Sequence, residues 1–247
     1  MPEHAFARNR RPAEPMSPAE TAQVRPNADN APRIALFPGR FGRYAMPAGA
    51  ALFWSMAGLA MWLGARVVCP DGICQALDFD HELLAALHAL RRPWLDATFA
   101  AATWLGSISV LLPLALALAW RYRRRAQPAA ALLLPLAVGG AWLLSHAGKL
   151  LVVRPRPDLY PALILMPADL SFPSAHTMQI TAFALAWVLA AGSRPGWAGV
   201  VAAALIIPAV ALSRLYLQVH FPSDVVIGMI AGATWVVGLR LALGARA

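Results

Sequence analysis

The chain reads as an all-α, polytopic membrane protein with six transmembrane helices, and three observations carry that reading. Of 247 residues, 59% are apolar and only 13% charged, about half the roughly 25% of a soluble domain and too little charge to cover a folded particle of this size. The mean hydropathy is +0.56. Asp, Glu, Lys and Arg are absent from intervals 44–65, 97–120, 126–148, 177–193, 195–213 and 225–239.

A membrane helix needs about 20 mainly apolar residues. The first five intervals reach that length alone or with a flanking residue. The sixth reaches it if the Arg240 side chain snorkels to the interface, so that the helix runs from about Asp224 to Leu243. Residues 1–43 are different material, with six prolines by residue 32, seven arginines and four acidic residues. They lack the apolar periodicity needed to bury a core and read as a disordered cytoplasmic tail, leaving 44–247 as the membrane domain. Arg10-Arg11 has no apolar segment close behind it, so the first long apolar stretch reads as an uncleaved helix and not a signal peptide.

Arginines in short loops orient the chain, because positive residues stay on the cytoplasmic side. The densest group is Arg121, Arg123, Arg124 and Arg125. With that loop inside, alternation places Arg40, Arg43, Arg194, Arg240 and Arg246 inside too, so both termini are expected to be cytoplasmic. The outer face then receives 70–94, 154–173 and 216–223. The net charge of +9 is therefore spread over loops and tail and gathers on no folded module, which argues against nucleic-acid binding.

In the first outer loop, Cys69-Pro-Asp-Gly-Ile-Cys74 brackets a turn on the oxidising side. A small disulfide ring is one reading, and a pair of free thiols is the other. Leu83, Leu84, Leu87 and Leu90 recur at helical spacing among charged residues. They suit either a helix lying on the membrane surface or a plain connector, and His81 and His88 read as surface residues.

The polar residues that stand out lie in two outer segments. One runs from Lys149, the sole lysine against 20 arginines, through Arg154, Arg156 and Asp158 to Ser174-Ala175-His176. The other runs from Ser213-Arg214 to His220 and Asp224. Lys149, Arg156 and Arg214 offer three positive charges to a phosphoryl group. A helix starting near Ser174 aims free backbone N–H groups at the same anion. His220 and Asp224 are four apart, on one face if helical, so the carboxylate can fix the imidazole tautomer. His176 can protonate a leaving oxygen.

These residues resemble the type 2 phosphatidic acid phosphatase (lipid phosphate phosphatase) superfamily. Its signature is Lys, six residues, Arg-Pro; then Pro-Ser-Gly-His; then Ser-Arg, five residues, His, three residues, Asp. Here it stands as Lys149 to Arg156-Pro157, Pro173-Ser174-Ala175-His176, and Ser213-Arg214 to His220 to Asp224, with Ala175 in place of the usual Gly. The alanine keeps the backbone N–H but adds a methyl group and disfavours positive φ. The resemblance implies a phosphatase without metal or cofactor, in which His220 forms a phosphohistidine, Asp224 orients it and His176 serves as acid and then base. Lys149, Arg156, Ser174, Ala175 and Arg214 would hold the phosphoryl oxygens.

The implied substrate is a lipid phosphate in the bilayer: undecaprenyl diphosphate, phosphatidic acid or phosphatidylglycerol phosphate, met at the outer face of a bacterial inner membrane. Transfer of the phosphoryl group to another lipid, such as lipid A, is the competing enzyme reading. A phospholipid transporter or scramblase is the non-enzyme one. Arg154 reads as an interface anchor outside the phosphate site, and His146 as a structural residue. Asp158 and Asp169 orient the basic residues or are solvated. Tyr216, Gln218 and Phe221 shape a lipid entrance or pack. Gly228, Ala231 and Gly232 form a small-residue stripe that packs within the chain or between chains, so oligomeric state stays open.

Overall fold

A computed structural model describes residues 40–191 and 196–244, with the side chains of the first helix described from Ala48 onward. Eight α-helices and no strand occur among these residues: α1 Arg40–Val68, α2 Asp78–Ala89, α3 Pro93–Ala102, α4 Ile108–Arg124, α5 Pro128–Leu151, α6 Ala175–Ala190, α7 Trp197–Tyr216 and α8 Pro222–Gly244. The expected tail lies outside the described residues as far as residue 39, as do Arg194 and Arg246. The first helix begins at Arg40, before the expected start at residue 44.

Four helices are long and apolar enough to cross a membrane: α1 from Ala48, α5, α7 and α8. Large apolar side chains on their outer faces are exposed, among them Leu52, Trp62, Leu143, Trp197 and Leu205. In a polytopic chain such residues meet acyl chains and not water.

Two expected spans differ. The 97–120 interval is not one straight helix. It breaks at a 3-10 turn, Thr103–Gly106, and α3 and α4 meet there at 48°. Ser107 caps α4 by accepting a hydrogen bond from the Ser109 N–H. The turn also needs Gly106, since a Cβ there would stand 3.0 Å from the His176 carbonyl oxygen. Freedom from charge marks what lipid tolerates and not where a helix bends. The 177–193 interval forms α6, which spans only Ala175–Ala190, about 24 Å at 1.5 Å per residue.

This short helix occupies the centre, against α5, α7 and α8. Thr177 through Ala184 are all buried. Protein, not lipid, therefore surrounds this stretch, which permits polar Thr177, Gln179 and Thr181 at membrane depth, while Trp187 near the far end is exposed. The stripe on α8 is used within the chain. A Cβ at Gly228 would come 2.9 Å from the Ser174 oxygen, and one at Gly232 would come 2.6 Å from the Met178 oxygen. The missing side chains let α8 lie directly on the start of α6.

The chain direction gives the bundle two distinct ends. One gathers the α4–α5 turn and Arg240, which lines a pocket with Gln127 and Pro128. The other carries the segments 69–77, 152–174 and 217–221. There the sulfur atoms of Cys69 and Cys74 stand at disulfide-bonding distance.

Candidate active site

Lys149 lies in the last turn of α5, and the chain then leaves the helix as an extended strap of residues 152–174. The strap is pinned to itself by Ser171 N–H on the Arg154 oxygen, 2.9 Å, and to α8 by Ser174 N–H on the Asp224 oxygen, 3.1 Å. This fixes the start of α6 against the start of α8, and it is why motifs far apart in sequence meet.

Their side chains surround a pocket of about 190 Å³ whose walls include Lys149, Arg156, Ala175, His176, Arg214 and His220, with Asp169, Gln179, Trp142 and His146. Six of the eight residues expected to act thus share one cavity. The other two sit behind it. Ser174 is fully buried, with its hydroxyl 3.0 Å from that of Thr177. Asp224 is fully buried beneath His220.

Three cations face this space. Arg156 donates to the Asp169 carboxylate, to the Asp169 backbone oxygen at 2.8 Å and to the Val219 oxygen at 2.5 Å. Lys149 is 4% exposed; it donates to the Leu170 oxygen and lies 3.2 Å from Asp169. Arg214, 2% exposed, is oriented by the Thr103 hydroxyl at 2.6 Å, which belongs to the turn breaking α3 from α4. Burial raises the Asp169 carboxyl, but the hydrogen bond from Arg156 and the charge of Lys149 outweigh it, bringing the group down to about 2. Asp169 thus orients two of the cations, while Asp158 is exposed.

The His220–Asp224 pair is not the helical pair that its spacing suggests. Pro222 is the first residue of α8, so His220 precedes the helix and only Asp224 is helical. The two still face each other, with Nδ1 and Oδ2 3.6 Å apart. Asp224 reaches back over the helix start to accept from the Phe221 N–H at 3.0 Å, a placement the helix dipole favours. Ser171 Oγ bridges the pair, donating to Asp224 and lying 3.4 Å from His220 Nδ1.

On the pocket side, His220 Nε2 lies 3.2 Å from Arg156 Nη1. A guanidinium can only donate, so Nε2 is the bare nitrogen and the proton sits on Nδ1 toward Ser171 and Asp224. Burial, then the charges of Arg156, Arg214 and Lys149, push this imidazole well below the usual histidine range and keep it neutral. At the start of α6, the N–H groups of Ala175 and His176 have no intrahelical acceptor. Ala175 is not among the residues with positive φ, so the methyl group imposes no backbone strain there.

Arg154 is no interface anchor. It is fully buried, donating to Asp224 Oδ1 at 2.6 Å, Asp80 Oδ2 at 2.9 Å, Ser223 Oγ at 2.8 Å and the Gln75 oxygen at 2.8 Å, with Phe221 against its guanidinium at 4.1 Å. Asp80 in turn accepts from the Ser223 N–H at 2.8 Å and so caps α8 from α2. The α2 segment is therefore bonded into the site and does not simply lie on the surface. His146 lines the pocket while bonded to the Trp142 oxygen at 2.8 Å. Tyr216, Gln218 and Phe221 are buried packing residues.

The sequence reading missed Asp80, Thr103, Ser171, Ser223 and Gln179. Asp80 alone left a trace, as an acid in an apolar segment; a serine or threonine carries no positional signal.

Residues 128–246 match the profile of the PAP2 superfamily. The chain is 40% identical over 107 residues to the decaprenylphosphoryl-5-phosphoribose phosphatase of Mycobacterium tuberculosis, 38% of this chain and 56% of that protein, and so spans little more than half that relative's length. It is 32% identical over 162 residues to phosphatidylglycerophosphatase B of Bacillus subtilis, covering 62% of this chain and 77% of that one. The crystal structure of the transmembrane PAP2 type phosphatidylglycerolphosphate phosphatase from Bacillus subtilis superposes with a TM-score of 0.62 at 28% identity, over 78% of this chain and 93% of the other. That of Aquifex aeolicus LpxE gives 0.55 at 25% identity, over 66% and 96%.

Proposed function

The chain belongs to the PAP2 superfamily, and from that premise we propose that it hydrolyses a lipid phosphate or diphosphate at the outer face of a bacterial inner membrane, without a metal. The observation that carries this reading is the continuity of the cationic pocket with an apolar groove. Ile108 and Trp142 belong to both, and Leu112 and Gly139 complete the groove between α4 and α5. A phosphate held by Lys149, Arg156 and Arg214 leaves its hydrocarbon chain a route into the bilayer.

In the proposed reaction His220 Nε2 attacks phosphorus. The N–P bond forms as the bond to the lipid oxygen breaks, and His176 delivers the proton that the leaving oxygen needs. Water, losing a proton to His176, then cleaves the phosphohistidine to free phosphate and restores His220. Asp224 and Ser171 hold the Nδ1 proton. The three cations and the N–H groups of Ala175 and His176 stabilise the charge spread over the phosphoryl oxygens. Ser174 acts by holding the start of α6.

We read α3 with α4 as one bent span and α6 as a short one, giving six spans with cytoplasmic termini and the Cys69–Cys74 bond on the oxidising side. Undecaprenyl diphosphate, phosphatidic acid and phosphatidylglycerol phosphate are the candidate substrates. The test is phosphate release from these lipids by the detergent-purified chain in EDTA. Release is expected from the wild type and a loss of about 10³-fold or more in His220→Ala. No release from the wild type, or full release from the variant, defeats the reading, and labelled phosphate appearing in lipid instead of water redirects it to phosphotransfer.

A further inference from the structure

Gln179 has no part in the signature or in the chemistry just described. It lies on α6, three residues after His176 and four after Ala175, hence on their face and about 6 Å further along the axis. It is 3% exposed, it lines the phosphate pocket, and its Oε1 is buried without a hydrogen-bond partner. A primary amide has two donors and an acceptor. Left unpaired at this depth its oxygen is costly, and among the described residues no group of the protein bonds it.

Its position decides what could pair with it. The phosphoryl group is bounded by the helix start and the three cations, and the apolar groove begins at Ile108 and Trp142. Gln179 lines the same cavity as Ile108 and Trp142, one turn of α6 beyond the N–H groups of Ala175 and His176.

We propose that Gln179 is a specificity-determining residue that hydrogen-bonds an oxygen of the leaving group, so that the site prefers phosphate esters of an oxygenated carrier, such as a glycerolipid or a sugar-linked lipid, over the phosphate of a plain polyprenol. A hydroxyl three bonds from the ester oxygen can donate to the Gln179 oxygen or accept from its NH2, and an acyl carbonyl five bonds away can accept from the NH2. A polyprenyl chain presents only carbon there and leaves the amide unpaired. This rests on the phosphatase reading above.

The experiment compares the full-length chain with Gln179→Met, which preserves shape, and Gln179→Leu. Phosphatidylglycerol phosphate and farnesyl phosphate are the two substrates. Neither variant loses an internal hydrogen bond, so both are expected to melt no lower than the wild type. The expected result is a fall of about tenfold or more in kcat/KM for phosphatidylglycerol phosphate, with farnesyl phosphate within about twofold of the wild type. Equal losses on both substrates, or none on either, overturn the assignment while leaving the phosphatase reading intact. A wild-type chain inactive on both defeats the phosphatase reading and this inference with it.

Discussion

Arg154 and Arg156 stand two residues apart on the same strap, yet one is sealed and the other open. Arg154 is fully buried and spends its guanidinium on Asp80, Asp224, Ser223 and the Gln75 oxygen. Arg156 faces the pocket, where its partners are an exposed carboxylate, two backbone oxygens and the bare nitrogen of His220. The first neutralises two carboxylates that cannot reach water. The second faces a cavity, and in the proposed reaction its charge meets the phosphoryl group. What separates them is where the partners come from, chiefly α2 and α8 for Arg154, and the strap together with the segment before α8 for Arg156.

The largest expected effect comes from breaking the sealed side. Arg154→Met leaves Asp80 and Asp224 buried without a cation, a loss of about 3–5 kcal/mol. It should appear as a much lower melting temperature or failure to purify as a monodisperse protein. A variant that melts with the wild type would show the two arginines to be equivalent. Next, Arg156→Ala should cost about 10²-fold in kcat/KM on a lipid phosphate. Its melting temperature should move little, because Asp169 can turn to solvent. Kinetics and melting of the two variants together test the division.

The smallest effect is at Asp169, whose partners Lys149 and Arg156 face the pocket. Its carboxyl is held at about 2, below the usual 3.8. A depressed carboxylate contributes stability that is fully present above the unfolded value and is lost as pH falls through the folded one. Asp169→Asn should therefore melt slightly below the wild type at pH 5 and above, with the gap closing toward pH 2. A gap that widened on acidification would contradict this pairing.

Lys149 shows what could be read without coordinates. A single lysine among so many arginines is a chemical choice, and its spacing to Arg156-Pro157 completed the first motif. His176, Arg214 and His220 were legible in the same way, because a polar group at a membrane edge is expensive and so conspicuous. The long spans were legible because lipid imposes length and apolarity on each segment separately. The break between α3 and α4 was less so, since it answers to His176, distant in sequence, and Gly106 alone does not announce it.

The sequence by itself determined the membrane class, the residues that gather at the candidate site and the charge they present, because each of these is a property of a residue type at a given spacing. The tertiary structure alone decided how those residues are held: Arg154 sealed between two acids, Asp80 capping a helix it is far from in sequence, Ser171 between His220 and Asp224, and Gln179 unpaired in the pocket wall. The reason is that a hydrogen bond has a direction and a length, and both are set by elements that meet only when the bundle closes.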